Sequence, residues 1–205
     1  MRLALLALPV LAALAAAPAR ADNFAGAVGG IMIPVADSHS NSKDGWTDLV
    51  GSGPKLAIRA GATGASGLGA MLSADWTPVN SNNQSQFVDV SAHRFRILAH
   101  VVFDKIVVPK VSLFVRAGGG IDIAHASLST TPVLGTSYQA STTDVGWAFE
   151  LGGGVYFHLG SVQLGGELAL PFGGHSHKST SNTDIPLNYT STDIDVLFGV
   201  RFTSR

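Results

Sequence analysis

The sequence predicts an all-β chain, an eight-stranded antiparallel up-and-down transmembrane β-barrel, and three observations carry that expectation. The chain is 46% hydrophobic and only 13% charged, yet after residue 21 no apolar run is long enough for a membrane helix. The best candidate, residues 97–108, is broken by His100, Asp104 and Lys105. Apolar residues instead alternate with polar or small ones at a period of two, the period of a strand. The segments that do this are joined by connections in the order long, short, long, short, long, short, long. Barrels of the outer membrane have that asymmetry, with long loops outside and tight turns in the periplasm.

The first residues, MRLALLALPVLAALAAAPARADN, read as a secretory signal peptide. Arg2 is the charged start, residues 3–18 are rich in Leu and Ala, and Ala19-Arg20-Ala21 is a small-x-small cleavage site. Cleavage is expected after Ala21, which divides the chain into a signal peptide, 1–21, and a barrel domain, 22–205. A chain with no cysteine carries neither a lipobox nor the disulfides of small exported domains. A net charge of -1 leaves no basic footprint for nucleic acid.

Each strand is justified by its alternation. Residues 23–36 are rich in glycine, with Ala25, Ala27, Ile31, Ile33 and Val35 toward lipid and Pro34 near the strand end. Residues 37–52 form a polar loop. Residues 54–62 set Leu56, Ile58, Ala60 and Ala62 opposite Arg59. A tight turn at 63–66 leads to 67–76, with Leu68, Ala70, Leu72, Ala74 and Trp76 outward and Met71, Ser73 and Asp75 inward. A polar loop over 77–86 precedes 87–103, where Phe95, Ile97, Ala99, Val101 and Phe103 point out and Arg94, Arg96 and His100 point in. A turn over 104–110 leads to 111–126, with Leu113, Val115, Ile121 and Ile123 opposite Arg116 and Asp122. After a Ser/Thr-rich loop at 127–143, residues 144–158 place Val145, Trp147, Phe149, Leu151, Val155 and Phe157 out and Glu150 in. Residues 159–161 turn, and 162–172 place Leu164, Leu168 and Leu170 out and Gln163 and Glu167 in. A last loop spans 173–190. Residues 191–203 then give the cleanest alternation, with Ile194, Val196, Phe198, Val200 and Phe202 against Asp193, Asp195 and Arg201. Trp76, Trp147 and Phe172 fall at the outer strand ends and Phe103, Phe157 and Phe202 at the periplasmic ends, as interfacial girdles do.

The segments VSLFVRAGGGIDIAHA, VGWAFELGGGVYFHLG and DIDVLFGVRF resemble the small eight-stranded outer-membrane β-barrel family. That family includes the opacity-protein and OmpX-like surface proteins of Gram-negative bacteria. The resemblance implies a cell outer membrane location and contact with outer-membrane lipid and lipopolysaccharide. It also implies insertion by the barrel assembly machinery, which reads a final strand ending in an aromatic residue. Phe202 is that aromatic here, followed by Thr203, Ser204 and Arg205.

The inward charges are the main polar constellation. Arg59, Arg94, Arg96, Arg116 and Arg201 share the interior with Asp75, Asp122, Glu150, Glu167, Asp193 and Asp195. Eight strands enclose a bore that side chains just fill, and charge buried there needs a partner. A salt-bridged plug is therefore expected, with Arg96 opposite Asp122; an ion gate or narrow pore is the functional alternative. His125 and Ser127 form a His-x-Ser pair of the kind lipid A deacylases use, but a hydrolase needs a third group to orient the histidine. Asp144 is the nearest acid, and the parity of the strand turns the pair toward lipid. His175 and His177, with His39, offer too few ligands for a metal site. The runs Gly118-Gly119-Gly120 and Gly152-Gly153-Gly154 lie within strands and lack the following helix and Lys of a phosphate loop. The sequon at Asn188 has no meaning in a bacterium.

No catalytic residue, metal site or cofactor is assigned. The expected role is structural or surface-interactive, exercised by a monomer through its long loops on an extracellular ligand the sequence does not identify. The alternatives are a narrow channel for small solutes, a lipid A-modifying hydrolase and a soluble periplasmic lipocalin-like binding protein.

Overall fold

The computed structural model describes residues 22–39, 51–80, 88–130, 139–177 and 187–204; the 1–21 segment lies outside them. The described residues form β1 (Asp22–His39), β2 (Gly53–Thr63), β3 (Leu68–Asn80), β4 (Val88–Val108), β5 (Val111–Thr130), β6 (Gln139–Leu159), β7 (Val162–His177) and β8 (Leu187–Ser204). Each strand pairs antiparallel with its neighbours in sequence, and β8 pairs with β1, so the sheet closes into a barrel. Closure satisfies the backbone groups of every strand, which hydrocarbon requires.

The alternation sets which face is which. In β2, Lys55, Ala57 and Arg59 are buried while Leu56 and Ile58 are exposed. In β1, Phe24, Val28 and Met32 turn inward and Ala25, Ala27, Ile31 and Val35 outward. Exposed large apolar side chains occur on all eight strands, with Ile58 at 66%, Leu168 at 62% and Phe198 at 67% exposure. A soluble monomer does not carry a continuous apolar belt of that kind. The lipocalin-like alternative needs these faces to line a closed core. They lie on the outside instead, and the charges lie inside.

The strands run longer than hydrophobic alternation alone predicts. β4 and β6 each have 21 residues, where about 9–11 span a membrane. Most of the excess lies on the side of the long connections. The loop expected at 77–86 begins as strand, through Asn80. The loops expected at 127–143 and 173–190 lose residues at both ends to β5, β6, β7 and β8. Above the belt the outer face meets water, so its residues become Ser, Thr and His while pairing continues. At the other end, the turn expected over 104–110 shrinks to Pro109 and Lys110, with a register shift between Ile106 and Val108. Gly67, expected within a strand, belongs to the turn before β3 at φ +86°. A Cβ there would collide with the carbonyl oxygen of Asp104.

The interior is layered along the bore. Near the short turns, Phe24, Met71, Val102, Phe114 and Tyr156 form an apolar cluster. Phe114 meets Phe24 and Tyr156 edge to face, with centroids 6.5 Å and 5.9 Å apart. The rest of the bore toward the long connections is dominated by charge.

Candidate functional site: the cross-linked lumen

Among the described residues, six cations and six carboxylates are buried inside the barrel: Lys55, Arg59, Arg94, Arg96, Arg116 and Arg201 with Asp75, Asp122, Glu150, Glu167, Asp193 and Asp195. Their placement follows from parity, since each sits at an inward position of its strand. Asp122, Asp193 and Asp195 have no exposure at all.

The layer nearest the long connections is a four-membered ring of charge. Arg94 Nε donates to Asp122 Oδ2 at 2.6 Å, and Arg94 Nη1 donates to Asp193 Oδ2 at 2.9 Å. Arg96 repeats both contacts, at 3.1 Å to Asp122 and 3.0 Å to Asp193. Arg96 and Asp122 are also register partners between β4 and β5. Arg94 Nη2 adds a bond to Ser191 Oγ at 2.8 Å. Gly173 makes room for this layer, because a Cβ there would stand 2.9 Å from Asp122 Oδ2. Opposite charges in a region water does not reach attract strongly, which offsets their loss of hydration only when every member is paired.

The middle layer is built on Lys55, Glu150 and Glu167. Lys55 Nζ reaches Asp195 at 2.5 Å, Asp75 at 2.8 Å and Glu150 at 3.4 Å. Arg116 Nε donates to Glu150 Oε1 at 2.8 Å and its Nη1 pairs with Glu167. Arg59 Nη1 donates to Glu167 at 2.5 Å, and Tyr156 Oη donates to the same carboxylate. Gly152 leaves space for the Arg116 guanidinium, 3.1 Å from where a Cβ would sit. Beside this layer His100 Nε2 lies 3.1 Å from Ser73 Oγ. Arg201 stands apart. It pairs with Asp104, donates to Gln163 at 2.7 Å, and lies 4.1 Å from the Tyr156 ring centroid. Phe24 and Phe114 complete an aromatic collar around it, at 5.0 Å and 5.1 Å.

Two partners are missing from the expected set. Lys55 is the hub of the middle layer, and the sequence carries its signal: it is four residues before Arg59, on the same parity. Asp104 belongs to the expected turn over 104–110, where hydrophobic alternation gives no sign of its inward aim.

The remaining candidates are separated. His125 Nδ1 lies 2.8 Å from Thr143 Oγ1, and Ser127 Oγ lies 2.8 Å from Ser91 Oγ, so the His-x-Ser pair does not meet. Asp144 lies 3.0 Å from His175 Nδ1, and it occupies the opposite parity from Thr143. His175 is buried and stacks on Tyr189, with centroids 5.1 Å apart. Among the described residues no group of three metal-ligating side chains occurs; the side chains of His39 and His177 lie outside them.

No family model and no curated protein matches the chain. Solved structures do. The attachment invasion locus protein of Yersinia pestis superposes with a TM-score of 0.51 at 15% identity, covering 89% of this chain and 98% of that one. A major outer membrane protein from Thermus thermophilus superposes with a TM-score of 0.51 at 12% identity, covering 90% of this chain and 100% of that one. With eight strands closed in sequence order, grease outside and paired charge within, the chain has the fold of the small eight-stranded outer-membrane β-barrels.

Proposed function

We propose that the protein works as a closed barrel in the outer membrane, with a structural or surface-interaction role exercised through its long connections. Residues 1–21 direct export and are removed, and the 22–205 segment is inserted by the barrel assembly machinery as a monomer. Lipid and lipopolysaccharide surround its belt, and its extracellular ligand is met by the Ser-, Thr- and Asn-rich segments between strands. The observation that carries this reading is the cross-linked lumen. Side chains from β2 through β8 meet in the bore through ion pairs that a permeating solute would have to break. A narrow pore keeps a continuous wet path, whereas this network fills it.

Planar bilayer recording on the refolded 22–205 chain tests the reading. The expected outcome is a silent bilayer from protein that migrates differently in SDS before and after boiling. Discrete conductance steps from such protein would make the lumen the working part and favour the channel. Protein that stays soluble without detergent would remove the membrane assignment itself.

A further inference from the structure

Gly26 stands between two arginines in one rung of the barrel. It is the register partner of Arg59 on β2 and of Arg201 on β8. Two strand spacings set the backbones of the arginines about 9–10 Å apart, and Gly26 places no side chain between them. Like charges that close repel unless something of opposite sign lies between. Gly26 has no room to be larger on its own strand, since a Cβ there would collide with the carbonyl oxygen of Val200. The rung therefore keeps a niche with a cation on each side.

The niche is a cavity of about 10 Å³, lined by Arg59, Arg201 and Glu167 with the apolar side chains of Phe24, Val28 and Met71. That is room for one particle the size of a water or a monatomic ion. Arg59 is 7% exposed and Arg201 4%. Arg59 Nε and Nη2 and Arg201 Nη1 are buried with no acceptor among the described residues. Glu167 is the one carboxylate on the lining, and it already accepts from Arg59, Arg116 and Tyr156. Buried donors on a charged group are costly to leave unmatched. A water supplies an acceptor but no charge; an anion supplies both, through charge-assisted bonds. Guanidinium is weakly hydrated and the rest of the lining is apolar, so the niche favours an anion that sheds its water cheaply. Sulfate and phosphate exceed the space.

We infer that the niche over Gly26 is a binding site for one monovalent halide, chloride in its natural setting, held between Arg59 and Arg201. Phe24 lines both this cavity and a polar pocket at the short-turn mouth, where Asp104 and Gln163 also lie. The ion reaches its site past Phe24 from that mouth, on the short-turn side of Lys55. It need not cross the layers that fill the bore, so a silent bilayer and a filled halide site are compatible.

The test follows the urea midpoint of the folded barrel in lipid vesicles as sodium chloride replaces sodium sulfate at constant ionic strength. Sulfate strengthens folded proteins without a site, so the exchange alone should lower the midpoint. A ligand bound only by the folded state raises it. The native chain should therefore gain stability on the exchange, with bromide acting like chloride. An Arg59→Gln chain that keeps its boiling-dependent mobility should lose the gain. Should that variant fold poorly, bromine anomalous scattering from native crystals grown in sodium bromide serves instead, with a peak expected over Gly26 in hydrogen-bond reach of both guanidiniums. A native midpoint that falls on the exchange, a gain kept in full by folded Arg59→Gln, or a water without anomalous signal at that place would each overturn the site.

Discussion

Glu167 is the residue whose chemistry is most exposed to change. Its carboxylate accepts from Arg59, Arg116 and Tyr156, so three donors from three strands depend on one acceptor. Glu167→Gln keeps the shape and removes the charge, leaving the buried guanidiniums of Arg59 and Arg116 facing each other. Breaking a buried ion pair from one side costs about 3–5 kcal/mol, more than deleting both partners. Urea unfolding in lipid vesicles, followed by tryptophan fluorescence, should show a loss of that order. An Arg59→Met, Glu167→Gln double variant should recover part of it; if it recovers nothing, the pair is not energetically coupled. Lys55, a compact charge on a long stem, contacts three acids in the same way: it reaches past β1 to Asp195 on β8 and across the bore to Glu150 on β6.

At the scale of the element, turn and strand chemistry decide where pairing stops. Gly67 holds φ +86°, and its carbonyl accepts from the Asp104 N–H at 2.8 Å. Gly67→Ala meets both the left-handed penalty and the Asp104 carbonyl. It should lower stability by about 1–2 kcal/mol, measured as the shift in urea midpoint; an unchanged midpoint would mean the turn relaxes freely. Elements are also where the sequence is most and least legible. The facing of the strands can be read because grease marks the lipid side wherever lipid is present. Strand ends cannot, because above the belt Ser91, Ser127 and Ser141 point out while Ala92, Ala126 and Ala140 point in. There the alternation inverts, with the polar side chain outside and the apolar one within. Arg96 and Asp122 are legible as opposite neighbours on adjacent strands. Arg59 with Glu167, from β2 to β7, is not. Pairing across a bore depends on how the sheet curls, which no strand states by itself.

For the whole molecule, the balance of six buried cations against six buried carboxylates among the described residues lets charge be packed into the interior. It also predicts how to open it. Replacing Arg94, Arg96, Asp122 and Asp193 together by alanine removes two long and two short charged side chains with no net change in charge. The outer layer should then admit water, and conductance should appear in bilayers where the native chain is silent. Continued silence from the folded variant would place the seal in the Lys55 layer or at the Arg201 collar.

The same balance bears on assembly. Hydrophobic parity sets β8 in register only to the nearest two residues: a slip of two leaves Ile194, Val196 and Phe198 facing lipid as before. Charge does not tolerate that slip. Moved one way, the apolar Leu197, fully buried, would take the position of Asp195 against Lys55. Moved the other way, Asp195 would enter the place of Leu197, beside Val28 and Ala57. Each wrong closure leaves an unmatched charge in the bore, so the ion pairs act as a key that accepts the final strand at one setting and rejects its nearest imitations.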